Sequence, residues 1–147
     1  MTLATVGPTG EPQAAAVFYA ADEQLNLYFL SSPRSRHSEN LAREPRIAAT
    51  IHADKQSWQT IQGVQIEGTA HIVRDTRQIA SAIKVYASRF DFLQEPLAGS
   101  GPTSPAALRG PVANSRFYVL NPTWIRLIDN QLGFGHKEEL WMQKDRE

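Results

Sequence analysis

Leu27-Tyr28-Phe29-Leu30-Ser31-Ser32-Pro33-Arg34-Ser35-Arg36-His37-Ser38 is the stretch that decides how this chain is read. Its first four residues are apolar on both faces, the pattern of a strand covered on both sides. Ser31 to Ser35 then stop the strand, and Ser35 stands where the cap of a short helix belongs, a helix running to about Arg43 and closed by Pro45. A buried strand therefore hands over to a helix start that carries two arginines, a histidine and four hydroxyls. The first N–H groups of a helix lack partners and present the positive end of its dipole, so this is an anion site by its chemistry. Three charge-assisted bonds of roughly 1.5–3 kcal/mol each would hold a phosphate monoester in the micromolar range or better once association is deducted. The alternative is a capped helix whose arginines sit in water.

Working outward from this stretch, the chain reads as strands. Thr2 to Val6 is β-prone, Gly7-Pro8-Thr9-Gly10 punctuates a tight turn, and Gln13 to Ala20 forms the second strand of a hairpin. Ala21 to Gln24 turns into the third strand, Leu25 to Leu30. After the helix, Arg46 to Ala53 alternates with Ile47, Ala49 and Ile51 on one face, and Asp54 to Thr60 is a polar loop carrying Trp58. Gln62 to Val73 alternates again, with Val64, Ile66 and Ile72 on the apolar face.

Asp75 caps the clearest helix, in which Ile79, Ile83, Tyr86 and Phe90 recur at helical spacing. Asp91 to Ala113, with four prolines and three glycines, reads as a long surface loop. Two strand-like pieces follow, Phe117 to Leu120 and Trp124 to Ile128, and then a turn over Leu132 to His136 before an extended piece around Leu140-Trp141-Met142. No βαβ alternation occurs. The expected fold is mainly β: one domain over residues 1–147, an antiparallel barrel of Greek-key type, closed or nearly so, with short helices.

Composition narrows the function. The chain has 147 residues, 41% of them apolar, enough for one compact core. Lysine plus arginine equals aspartate plus glutamate at 15 each, so no net field gathers nucleic acid or an acidic membrane. With no cysteine, there are no disulfides, thiolate nucleophiles or iron–sulfur clusters, and redox chemistry needs a borrowed cofactor. No leader-like segment and no apolar run near the roughly 20 residues of a membrane span is present, so the expected compartment is the cytoplasm.

Six stretches in order, Thr5-Val6, Gly10 to Phe18, Leu27 to Ser32, Ser35-Arg36-His37 through Asn40-Leu41, Pro45 to Ala48 and Gly63 to Gly68, resemble the motifs of FMN-binding split barrels of the pyridoxamine-phosphate-oxidase-like superfamily. The resemblance covers about half the chain, Thr2 to roughly Val73. The tail Asp129 to Lys137, with its Leu-Gly-Phe-Gly run, further resembles a small bacterial branch of that superfamily.

The resemblance implies a split β-barrel and a homodimer with flavin mononucleotide (FMN) in grooves between the subunits. It places the phosphate at Ser35, Arg36 and His37 with Ser31 and Ser32 nearby, the isoalloxazine edge along Ala15, Ala16, Val17 and Phe18, and a polar contact at Gln62. Small residues at Ala14 to Ala16 suit either a flat ring or a tightly packed strand. Departures are equally informative. Ala15 and Ala20 stand where pyridoxamine-phosphate oxidases have basic residues on the second strand, and the closing strands lack the arginine–histidine substrate signature, so a vitamin-B6 oxidase is not expected. The helix that often leads the superfamily's barrel does not precede Thr2, which leaves the barrel end covered otherwise or the start truncated.

Other residues carry weaker readings. His52 and His71 sit on neighbouring strands but have no metal-ligand spacing. Trp58 on its loop stacks on a flavin or fills a dimer seam, and Phe134, His136 and Lys137, around glycines that permit close backbone approach, are candidate contacts with a partner subunit. No catalytic side chain is assigned and no metal is expected. Flavin chemistry resides in the ring, so an oxidoreductase acting on a small molecule is the first expectation. A deazaflavin-dependent reductase and a non-catalytic flavin or haem carrier on the same barrel are the alternatives.

Overall fold

The structure, a computed structural model, describes residues 1–54, 56–90 and 112–142. The loop expected over residues 91–113 lies outside the described residues except for its last two. Eight strands form one antiparallel sheet: β1 (Thr2–Val6), β2 (Pro12–Ala16), β3 (Ala20–Ala21), β4 (Leu27–Ser31), β5 (Arg46–His52), β6 (Gln62–Ile72), β7 (Arg116–Asp129) and β8 (Lys137–Trp141). Helix α1 (Arg36–Arg43) follows β4, and α2 (Thr76–Arg89) follows β6.

The strand order is β2-β1-β5-β6-β7-β4-β3, so the two ends of the path, β2 and β3, are separated in sequence by Val17 to Tyr19 alone. Four residue steps span at most about 14 Å. The sheet must therefore curl until its edges nearly meet, which makes the expected antiparallel barrel. The split in it comes from β7. β6 pairs along its whole length on one side, while on the other β4 takes Arg116 to Leu120 and β8 takes Trp124 to Ile128.

Inside, Leu3, Phe29, Ile66, Ala70, Tyr118 and Leu120 form the main core, with Phe29 and Tyr118 stacked at 5.3 Å. The opposite face of β4 and β7 packs Tyr28, Phe117 and Val119 against Ala82, Ile83 and Tyr86 of α2, the face that the helical spacing marked. Asp75 caps α2 by accepting from the Gln78 N–H at 2.9 Å. Burial pushes the Tyr86 hydroxyl up to about 12.

Three expectations need correction. The second strand does not run through to Ala20. It ends at Ala16, because beyond the Met1–Val17 pair the chain leaves β1 and crosses to the other edge of the sheet. The third strand starts at Leu27 rather than Leu25, since the Asp22 carboxylate accepts from the Gln24 and Asn26 N–H groups and prolongs the turn, with Leu25 at φ +65°. The two pieces flanking Asn121-Pro122-Thr123 are one strand. Register shifts between Glu67 and Gly68, leaving Thr123 of β7 without an opposite residue on β6, and at this bulge the strand passes Pro122 unbroken. Gly68 makes the close approach feasible: a β-carbon there would overlap the Asn121 carbonyl oxygen and stand 3.0 Å from the Pro122 Cα.

Candidate functional site

Ser35 caps α1 as expected, its Oγ accepting from the Ser38 N–H at 3.4 Å. Around that cap, side chains from β4 and α1 close into a ring. His37 Nε2 lies 2.6 Å from Ser31 Oγ and 3.1 Å from Ser35 Oγ, the two hydroxyls are 3.0 Å apart, and Ser35 Oγ donates to Ser38 Oγ at 2.8 Å. Counting protons orders this ring. With a hydrogen on Nε2, that N–H serves both serine oxygens, Ser31 donates to Ser35, and Ser35 donates to Ser38. Without it, Ser31 must turn its proton to the imidazole and two oxygens face each other with none between them. Burial holds the His37 pKa below its ordinary value, so the proton that completes the ring is that of the neutral Nε2–H tautomer. Ser31 is buried, Ser35 and Ser32 are half-buried, and Arg34 and Arg36 are exposed with no ion pair among the described residues.

This cluster is fixed to the second strand by a residue that the sequence reading did not single out. Asn40, 1% exposed, donates to Thr5 Oγ1 at 3.0 Å and to Gln13 Oε1 at 2.8 Å, and accepts from Arg43 at 2.9 Å. It stands about one helical turn beyond Arg36. The helix start and the free edge of β2 are thereby held together. Asparagine inside a helix is a weak signal by itself, and its partners are 35 and 27 residues away.

Of the second-strand residues, Ala16 and Phe18 differ from Ala15 and Val17. Val17 exchanges both backbone bonds with Met1, each 3.0 Å. By antiparallel alternation Ala15 does the same with Leu3, while Ala16 turns its N–H and C=O groups, and Phe18 its N–H, away from β1 toward the open edge. Phe18 is 71% exposed.

Gln62 is elsewhere. Its side chain donates to Asp129 at 2.8 Å, and its backbone N–H is bonded to the Gln56 side chain. Pairing runs Ala16–Thr2–Thr50–Gln65, so β6 lies three strand spacings, about 14 Å, from β2, and Gln62 does not touch Ala16 or Phe18.

The candidate partner contacts do come together in part. Trp58 and Phe134 pack edge to face at 6.2 Å while remaining 64% and 84% exposed. Asn130 braces them, donating to the Trp58 carbonyl at 2.6 Å and accepting from the Gly135 N–H at 3.0 Å. His136 instead pairs with Glu138 at 3.1 Å, and Lys137 opens β8 opposite Ile128. His52 pairs with Gly63 and His71 with Val119, at opposite ends of β6, so the histidines do not meet. Among the described residues no group of histidine, aspartate and glutamate could hold a metal, and no helix is long and apolar enough to cross a membrane.

Known proteins share this architecture. A heme-binding protein of Mycobacterium smegmatis superposes with a TM-score of 0.70 at 19% identity, over 95% of this chain and 51% of that one. This chain thus spans about half the length of that relative. A conserved hypothetical protein of Mycobacterium tuberculosis gives 0.68 at 23% identity, over 98% and 84%. The heme storage protein HutZ of Vibrio cholerae gives 0.62 at 19% identity, over 82% and 79%. These likenesses establish the fold. In sequence, a UPF0306 protein of Yersinia pseudotuberculosis is 27% identical over 124 residues, 84% of this chain and 72% of that protein. The family model for pyridoxamine 5'-phosphate oxidase matches residues 1–129, from the first strand through the end of β7, and the chain belongs to that family.

Proposed function

We propose that this protein binds FMN as a homodimer and acts as a flavin-dependent oxidoreductase on a small molecule other than a vitamin-B6 phosphate. The observation that carries the reading is the Ser31–Ser35–His37 ring at the start of α1, in a chain of this family. Its donor set suits a phosphate monoester: hydroxyls that rotate outward, unbonded N–H groups of a helix start, and the Arg36 guanidinium. His37 donates its Nε2–H to the serine oxygens, so a ligand oxygen that takes the Ser31 or Ser35 proton replaces a bond within the ring and leaves the imidazole bond in place. Ala16 and Phe18 offer backbone donors and acceptors to a flat heterocycle without a side chain intervening. The flavin ring, once bound, supplies the two-electron chemistry, and the residues named bind and orient it.

A subunit interface is supported by the outer face of β1, β5 and β6. There Ala4, Ala48 and Thr50 floor a trough of about 590 Å³ walled by Trp124 and the exposed Trp141. Its alanine floor and tryptophan walls are rimmed by Gln65, Arg126 and Glu139, the mixed lining of a subunit contact with an apolar centre and a polar rim.

Titration with FMN, followed by quenching of flavin fluorescence, tests the reading. Expected is a Kd in the micromolar range or below, lost in the Arg36→Ala/His37→Ala double variant with its fold retained; an unchanged flavin content in that variant would place the phosphate elsewhere. A haem carrier is the second reading, favoured by the heme-binding and heme storage proteins of the same fold. Haem titration separates the two: a Soret shift that FMN does not compete away supports the carrier.

A further inference from the structure

One cation beside the Ser31 cluster comes from the far side of the sequence. Ser31 and Arg116 are the last pair of the β4–β7 ladder. Directly opposed residues of an antiparallel pair share a face, with β-carbons about 4.5–5.5 Å apart. Two residues along, the pair Phe29–Tyr118 shows this parity directly, its rings stacked on the barrel side. Arg116 therefore rises from the sheet on the face that carries the Ser31 hydroxyl, next to the ring closed by His37.

Among the described residues no carboxylate holds the guanidinium away from that face. The guanidinium makes one hydrogen bond, to the Ser115 carbonyl at 2.9 Å, and no ion pair among the described residues. It also borders a slot of about 350 Å³ lined by Val73, Ile79 and Phe117, with no carboxylate among the described residues of that lining. Among the described acidic residues, Glu39 is exposed in the first turn of α1, and Glu11 is held by Thr9 and faces Arg36.

We infer that Arg116 is a phosphate-binding residue, closing the side of the α1 site that faces β7. This rests on the reading of that site as the seat of a phosphate monoester. A guanidinium edge matches two phosphate oxygens at once, which a lysine cannot do, so the residue adds geometry as well as charge.

The test compares FMN with riboflavin, which lacks the phosphate, on wild type, Arg116→Ala and Arg116→Lys, with melting temperature as the control for folding. Expected is a loss of FMN affinity of about tenfold to a hundredfold in Arg116→Ala, a smaller loss in Arg116→Lys, and unchanged riboflavin affinity in both. An Arg116→Ala protein that prefers FMN over riboflavin as strongly as wild type overturns the assignment of Arg116 and leaves the site standing. A wild type that does not prefer FMN over riboflavin overturns the phosphate site, and Arg116 with it.

Discussion

His37 Nε2 stands 2.6 Å from Ser31 Oγ, a bond between the first turn of a helix and the end of the strand before it. The ring is half-buried, and burial lowers its pKa from 6.5. An unfolded chain takes up a proton near that ordinary value, whereas the folded chain refuses it until a lower pH. Folding stability from this group is therefore constant above about 6.5, falls as pH drops below it, and levels once the folded value is passed. Urea midpoints measured at several pH values between 7.5 and 5 should fall less steeply in His37→Gln than in wild type. Equal slopes would show that other groups carry the dependence.

Asn40 holds α1 against β1 and β2 with two hydrogen bonds, accepts a third from Arg43 of its own helix, and is almost wholly buried. Asn40→Ala leaves the Thr5 hydroxyl and the Gln13 amide oxygen without that donor. A loss of about 2–3 kcal/mol is expected in denaturant unfolding. A loss under about 0.5 kcal/mol would mean that water replaces the amide freely.

Gly68 faces the backbone of Asn121 and Pro122 at the bulge, where no flexible side chain can give way. Gly68→Ala should cost about 3 kcal/mol or more, or prevent folding, and thermal melts will show it. Gly63, by contrast, has room: a β-carbon would meet the Ile51 carbonyl at 3.4 Å. Gly63→Ala is expected to fold, and equal damage from both substitutions would remove the bulge as the reason.

Trp58 and Phe134 share one exposed aromatic tip, braced from beneath by Asn130. If that tip is a subunit contact, Trp58→Ala and Phe134→Ala weaken the dimer more than about thirtyfold each in sedimentation equilibrium, with the melting temperature of the isolated subunit unchanged. A dimer of undiminished strength in both variants assigns the tip to solvent or to another ligand.

The parts legible from sequence were those with local causes. Ser35 as a cap, Asp75 as a cap, and the Ile83–Tyr86 face of α2 depend on residues within a turn of one another, and each was placed correctly. The barrel itself followed from alternation and from the lack of crossover helices. What escaped was set by register between distant segments. Nothing near Pro122 tells that a bulge opposite Gly68 lets the strand continue, and nothing near Arg116 tells that it will lie opposite Ser31. Asn40 was hidden for the same reason, since both strand residues that it bonds lie outside its own segment. Gln62 is another case of register at work: pairing sets it three strands from Ala16 of its own subunit, a separation that nothing in its own segment reveals.

The outward-turned backbone of Ala16 and Phe18 also bears on how the protein behaves in a crowded solution. β2 from Pro12 to Ala16 and the segment on to Phe18 carry no charged side chain, and among the described residues the outer amides of the strand are free to accept an intruding strand. Natural sheets blunt such rims with lysine, proline or a bulge, and here the only such device in the strand is Pro12 at its start. If the proposed cofactor seats along this edge it is also a guard, and protein without it is expected to clump sooner, on gentle warming, than protein to which it has been added.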